Sequence, residues 1–487
     1  MKVKLQGQTY NTLLLPIEWR YAASVVGLIR YFEYVEETEG IKLYEITKKR
    51  DRDQYVIYSE IGGYVQGLLY NEEDITEERY LQFVEHYYGE NLQHIVIERK
   101  LSDPNREYTE DEISVINSYI SGTNSNTILK KIFGKTKFTG NNAEEILHQI
   151  DENRFEIIRE TYRDKPSYRN KPSMYGKYAN IKKLLTLENP HCRLLGYDLD
   201  ENRKSKSVAY QFDTSTFVAN DEPEFDFIPF AFTYSPEAVF INNNNTITDL
   251  LKTNDAAREV FEQKQEIVDN KVKRDGMQTK LIKMLIYAED FMQHDTEVIV
   301  RKQESECFET LFIRKEALQR LKKVYSKYNL EYKHKYSDNY WLNVEESVID
   351  CCINEVYLDG ILDQLLVLSR EDSYAGVIIW NLVRINVEWK GVEGMTEQVE
   401  RARKAGYAIG RQIKDANGEN KAKGYRNKLI NAIVSHDRDR VLEIMLQLSG
   451  YIGGEIGTIY DILDSGEEWS DIAISFTNSL VEKRDDK

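Results

Sequence analysis

Cysteine is scarce in this sequence: there are four in 487 residues, two of them adjacent (Cys351 and Cys352), and no C-x-x-C pair occurs. That spacing excludes a disulfide framework and a conventional tetrahedral zinc site, and it points to a reducing cytosol. Proline is nearly as rare, at 8, and no compositional bias marks a collagen-like or disordered chain. Long hydrophobic runs are missing too. The longest apolar stretch, around 375–383, is far shorter than the roughly 20 residues of a membrane span. Gln6, Gln8 and Asn11 interrupt any signal-peptide core, so no membrane association and a cytoplasmic location are expected. The common catalytic signatures G-x-S-x-G, H-E-x-x-H and G-x-G-x-x-G are absent. Gly134-Lys135-Thr136 ends like a phosphate-binding loop, but Leu129 stands where its first glycine belongs. His436-Asp437 forms the dipeptide used by metal phosphohydrolases, yet with only seven histidines in the chain Asp437 better suits a helix N-cap. No catalytic residue, metal or cofactor is therefore assigned. Carboxylates are plentiful, so spacing alone leaves a carboxylate-only metal site open.

What the sequence does have is length, charge and amphipathic pattern. It is 41% hydrophobic and 30% charged, with a net charge of −17, and its length suits two to four domains. The charge is uneven. Segment 129–142 carries four Lys and no acid, 162–183 carries seven Lys/Arg against Asp164, and 401–428 carries nine against Asp415 and Glu419. Together these stretches hold +17, leaving −34 on the remainder. Cationic surfaces on an acidic body bind phosphates locally and repel them elsewhere, which orients a polyanion. In 162–183 the basic residues alternate with Tyr162, Tyr168, Tyr175 and Tyr178. Such rings either stack on bases while Lys/Arg hold phosphates, or pack back on the core. Tyr168, Arg169, Lys171, Tyr175 and Lys177 are the candidate binding residues of this loop.

No internal repeat is visible, and the pattern predicts an α+β protein. A mixed α/β region with basic loops spans 1–245, a mainly helical region with a short hairpin spans 246–390, and a four- to five-helix bundle spans 395–487. Within the first region, a helix is expected from Ile17 to Glu37 and strands at 55–58, 193–197 and 208–212. A turn with a helix cap is expected at 242–245. A hairpin is expected from Val298–Val300 to Cys307–Ile313, and helices from Arg314 almost to the end. In the bundle, Val399, Ala402, Gly406, Ile409 and Ile413 form one helical seam. Leu429, Ile430 and Ile433 form a second. Val441, Ile444, Met445 and Leu448 form a third, behind Asp437. Ser465-Gly466-Glu467-Glu468 has the form of a capping box opening a last helix through Trp469, Ile472, Ala473, Phe476 and Leu480.

Three stretches of the chain resemble a known family. Trp19-Arg20-Tyr21-Ala22-Ala23-Ser24-Val25-Val26-Gly27-Leu28-Ile29-Arg30 is similar to the start of the large subunits of type I CRISPR effector complexes (Cascade), most like the I-A/I-B branch. Ile228-Pro229-Phe230-Ala231-Phe232 and Phe240-Ile241-Asn242-Asn243-Asn244 resemble that family's middle region. Gly424 to Ile430 and the Trp469 helix resemble its helical end. Two departures stand out. Many relatives carry paired C-x-x-C motifs near the strand region, where this chain has only Cys192, so a zinc site is not expected. Tyr21-Ala22-Ala23-Ser24 also stands where Asn-Ala-Gly is usual, so no role tied to that Asn is expected.

The resemblance implies a non-catalytic subunit at the 5′ end of the CRISPR RNA, beside the backbone and end-capping subunits and a small subunit. Such a subunit reads the protospacer-adjacent motif (PAM) in double-stranded target DNA, helps open the duplex, holds the displaced strand and helps recruit the helicase-nuclease, while guide pairing reads sequence. On this view Asn124, Asn126, Lys130, Lys131, Lys135 and Lys137 are candidates for PAM contact. Arg401, Lys404, Arg411, Lys414, Lys421, Lys423 and Arg426 would track the displaced strand. Lys390-Gly391-Val392 can also be encoded AAA-GGA-GTN, which contains a ribosome-binding element shortly upstream of Met395. Met395 is either an internal start yielding a separate 395–487 small subunit, or an ordinary helix-start residue. Two other function classes stay in view: a carboxylate-metal nuclease, and a helical adaptor that binds no nucleic acid.

Overall fold

The computed structural model describes residues 3–5, 8–47, 66–89, 92–103, 106–163, 184–186, 222–233, 237–243, 245–262, 281–283, 285–286, 295–302, 308–337, 340–416 and 419–480. The chain divides into two compact units, Met1–Lys273 with Gln293–Ile313, and Arg274–Met292 with Arg314–Lys487. Small antiparallel sheets and many helices make it α+β.

The first unit opens with strands β1 (Val3–Leu5), β2 (Gln8–Tyr10) and β3 (Thr12–Leu14). The expected first helix is α1, Trp19–Glu39. Strands β4 (Glu45–Ile46) and β5 (Leu68–Tyr70) follow, with β5 central between β3 and β4. Helices α2 (Glu77–Tyr88), α3 (Gln93–Leu101), α4 (Glu110–Ile120), α5 (Thr127–Phe133), α6 (Ala143–Glu152) and α7 (Arg154–Arg163) come next. A 3-10 helix at Pro223–Phe230 precedes β6 (Glu237–Asn242) and α8 (Ile247–Glu262). The anticipated hairpin is β7 (Thr296–Lys302) with β8 (Glu309–Ile313), and β6 joins it as a third, antiparallel strand.

The two N-terminal segments that carried the family resemblance pack on each other. A Cβ on Gly27 would meet the Phe227 carbonyl oxygen at 2.0 Å, so the helix admits only glycine where the 3-10 segment crosses it. Arg30 of α1 donates to the Phe230 carbonyl and to Asp255 Oδ1 at 2.6 Å. Around this crossing Tyr31, Phe83, Phe227 and Phe230 form a buried aromatic core, Tyr31 edge-on to Phe83 and Phe227, and Phe230 tilted against both phenylalanines. Asn254 of α8 accepts from Ile241 N–H and donates to Ile241 C=O, both at 2.9 Å. It thereby satisfies the outer edge of β6. The cap of α8 lies one residue beyond the expected turn: Thr246 Oγ1 accepts from Asp249 N–H at 3.0 Å. A second cluster of Ile97, Ile116, Ile120, Leu129, Phe133 and Ile150 holds α3 to α7 together. The strands expected at 55–58, 193–197 and 208–212 lie outside the described residues.

The second unit departs from the expected unbroken run of helices. After α9 (Lys315–Lys327) the chain forms a hairpin, β9 (Lys333–Ser337) with β10 (Tyr340–Asn343). Helices α10 (Val344–Ile353), α11 (Asp359–Leu368) and α12 (Ser373–Lys390) lead into α13 (Met395–Asp415), α14 (Glu419–Val434), α15 (Arg438–Ile452), α16 (Thr458–Asp464) and α17 (Trp469–Ser479). The three apolar seams are buried as their periodicity requires. Asp437 caps α15 through Arg440 N–H at 2.9 Å. The capping box at 465–468 does not form. A 3-10 turn, Gly466–Glu468, precedes α17, Ser465 Oγ turns back to the Ile462 carbonyl, and Glu468 is drawn to Lys390 Nζ at 2.9 Å.

Helix α17 is the axis of this bundle and is buried on all sides, so α12 covers a face that α13 to α16 leave open. A Cβ on Gly406 or Gly410 of α13 would meet the Phe476 or Leu480 carbonyl oxygen at 2.3 and 2.0 Å. Polar groups in α17 are answered from α12. Lys390 Nζ lies 2.8 Å from Asp471 and 3.1 Å from Asp359, and Asn386 Nδ2 donates to Asp471 Oδ1 at 3.0 Å. Burial would lower the Lys390 ammonium pKa, but Asp471, Glu468 and Asp359 outweigh it and hold it above its ordinary value.

Candidate nucleic-acid interface

In the first unit the basic stretch 129–142 is built on α5. Asn126 is its N-cap: Oδ1 accepts from Leu129 N–H at 2.9 Å, and Nδ2 donates to Thr161 Oγ1 at 2.8 Å. Both ends of this amide are committed to the fold, so Asn126 reads as a cap and leaves the set of base-reading residues. Asn124 stays exposed in the preceding turn, its Nδ2 donating to Ser118 Oγ at 3.0 Å. Lys130 and Lys131 fall in the last turn of α5, where a cation complements the helix dipole. Lys131 pairs with Glu156 at 3.0 Å. Lys130, Lys135 and Lys137 are exposed, with no acidic partner among the described residues. Gly134 ends the helix with φ of +53°, so Gly134-Lys135-Thr136 is a helix terminus and not a phosphate loop. Tyr168, Arg169, Lys171, Tyr175 and Lys177 lie outside the described residues.

In the second unit the seam of α13 turns inward and its cations turn out. Lys404 and Lys414 are exposed, with no acidic partner among the described residues, whereas Arg401 meets Asp461 at 2.7 Å and Arg411 reaches Asp415 only at 4.0 Å. On α14, Lys421 and Lys423 are exposed, and Lys421 Nζ stands 4.3 Å from the centre of the Tyr451 ring. Tyr451 lies 6.0 Å from Tyr425, over which Lys428 sits at 5.7 Å. This alternation of rings and ammonium groups, contributed by α14 and α15, is not legible in the sequence, where Tyr425 and Tyr451 are 26 residues apart. Rings that offer π-faces beside cations that hold phosphates suit a nucleic-acid strand.

Arg426 does not belong to that surface. It is 8% exposed, and its guanidinium donates to Ser369 O at 3.1 Å and Ser369 Oγ at 2.6 Å. Burial, with Arg370 nearby, brings its pKa down to about 10. It ties α14 to the end of α11. Met395 is the first residue of α13 and is 1% exposed, after Gly394 in the left-handed region.

Cys351 and Cys352 are free thiols in α10, and burial raises both, Cys352 up to about 12, which keeps them as thiol rather than thiolate. Among the described residues no group of His, Cys, Asp and Glu is placed to hold a metal ion, and no helix is long and apolar enough to cross a membrane. A family model described as CRISPR-associated protein Csx8 matches residues 10–480. No curated protein and no solved structure gives a significant match.

Proposed function

The chain belongs to the Csx8 family of CRISPR-associated proteins, and on that premise we propose that it is the non-catalytic large subunit of an RNA-guided surveillance complex of the type I-A/I-B kind. The observation that carries this reading is the exposed basic and aromatic surface of α13, α14 and α15 on a chain of net charge −17. Lys404, Arg411, Lys414, Lys421 and Lys423 would hold the displaced strand, with Tyr425 and Tyr451 offering rings to its bases. Lys130, Lys135 and Lys137, with Asn124, would meet the duplex near the PAM. The partners are then the CRISPR RNA 5′ end, target double-stranded DNA, backbone and end-capping subunits, a small subunit and the helicase-nuclease. Base pairing with the guide supplies sequence recognition, and the protein supplies PAM contact and backbone neutralisation.

A C-terminally tagged chain expressed from its native operon tests the assignment by pull-down and sequencing of bound RNA. Short RNAs sharing one repeat-derived 5′ end are the expected result. A second tagged species matching residues 395–487 would establish the internal start. Purified complex without RNA would overturn the effector role.

A further inference from the structure

The hairpin of β9 and β10 carries three half-exposed aromatic rings within six residues: Tyr336, Tyr340 and Trp341 are 44%, 53% and 54% exposed. Burying a ring of this size is favourable by a few kcal/mol, so a touching pair of tyrosines and a tryptophan on one short hairpin, all left in water, call for a ligand. Their arrangement is ordered. Tyr336 and Tyr340 stack at 5.2 Å with planes 22° apart, and the His334 ring meets Tyr336 edge-on at 4.8 Å. The register pairs Trp341 with Lys335, whose Nζ stands 5.6 Å from the Trp341 ring centre. The ladder shifts register between Tyr340 and Trp341, so the two neighbouring rings are offset along the strand. Lys333 is exposed on the same strand.

The base of the hairpin is fixed. Tyr332 and Leu342 are buried, Val344 N–H donates to the Tyr332 carbonyl at 3.1 Å, and Tyr332 Oη donates to Asp372 Oδ2 at 2.8 Å. Asp372 in turn caps α12 through Tyr374 N–H at 2.8 Å. The rings are thus presented on a rigid stem.

We propose that this hairpin is a stacking site for single-stranded nucleic acid, with unpaired bases on Trp341 on one face of the ribbon and on Tyr340 and Tyr336 on the other, and phosphates held by Lys333 and Lys335 beside Trp341. Aromatic residues also anchor protein interfaces, but lysine is depleted at the centre of those, whereas rings beside ammonium groups match a polyanion with exposed π-faces. The site is built from other residues than the surface of α13 to α15 and does not depend on the effector-complex assignment.

The full-length chain titrated into labelled oligo-dT, read by fluorescence anisotropy, tests it. Trp341→Ala and the double variant Tyr336→Ala/Tyr340→Ala should each weaken binding about tenfold, the order of one lost base–aromatic stack. Trp341→Phe should recover most of that loss. Because a ring is removed and no charge, the salt dependence of the Trp341→Ala variant should match the parent chain. Lys404→Glu/Lys414→Glu, in parallel, should weaken binding and flatten the salt dependence. Hairpin variants within twofold of the parent, with urea midpoints unchanged and the lysine variant impaired, overturn the stacking site and leave the α13–α15 surface standing. A parent chain that does not bind oligo-dT at low salt also overturns the stacking site, whereas the effector role is decided by the bound RNA.

Discussion

Single residues in the second unit show how far charge alone misleads. Arg426 belongs by composition to the basic stripe, yet it falls at helical spacing between Ala422 and Ile430, both buried. Its position in the seam was readable from i, i+4 spacing, and its net charge concealed it. Lys390 is the opposite case. Nothing around it in the sequence signals burial, because the carboxylates that hold it, Asp471 and Glu468, lie about 80 residues away. Lys390→Met should cost about 3–5 kcal/mol, since it strands the fully buried Asp471 as an uncompensated carboxylate. The double variant Lys390→Met/Asp471→Asn should recover most of that loss, which urea unfolding measures. A single variant within 1 kcal/mol of the parent chain would show that water already serves Asp471.

At the scale of elements, legibility follows how much of the element is decided locally. The seams of α13, α14 and α15 were readable because each buries a regular apolar stripe against the bundle. The β9–β10 hairpin was not, because of β9 and β10 only Leu342 is buried, and the alternation of Lys, His and Tyr lacks the half-buried period of an ordinary strand. The box at 465–468 had the right letters, but Glu468 gains more beside the buried ammonium of Lys390 than at a solvated helix end. Gly27 illustrates the same limit from the other side. Inside a helix a glycine reads as a weakness, and only the crossing of a segment 200 residues later makes it obligatory. Gly27→Ala should therefore destabilise the first unit by about 3 kcal/mol or more, beyond the usual gain of alanine in a helix. A urea midpoint at or above that of the parent would mean that the 3-10 segment yields instead.

For the whole molecule, the boundary at Met395 joins architecture to function. By sequence the last bundle begins there, and Gly391 and Gly394 at positive φ mark a real break between α12 and α13. The packing does not stop at that break. Across it run Lys390 and Asn386 to Asp471, Asn478 Nδ2 to the Gly376 carbonyl at 2.7 Å, and the Arg426 guanidinium to Ser369. A product beginning at Met395 would keep α13 to α17 but bare the face of α17 that α12 covers. It would expose to water the face of α17 that carries Asp471 and Asn478, together with the Arg426 guanidinium that Ser369 satisfies. A 359–487 fragment, retaining α11 and α12, should unfold cooperatively in urea. The 395–487 fragment should unfold at lower urea with a shallower transition and bind a hydrophobic dye. If the two share a midpoint, α12 is dispensable and the shorter product is a domain in its own right. If they differ as expected, an internally initiated small subunit would be stable only when a neighbouring surface takes the place of α12, and its folding would then be coupled to assembly along the complex.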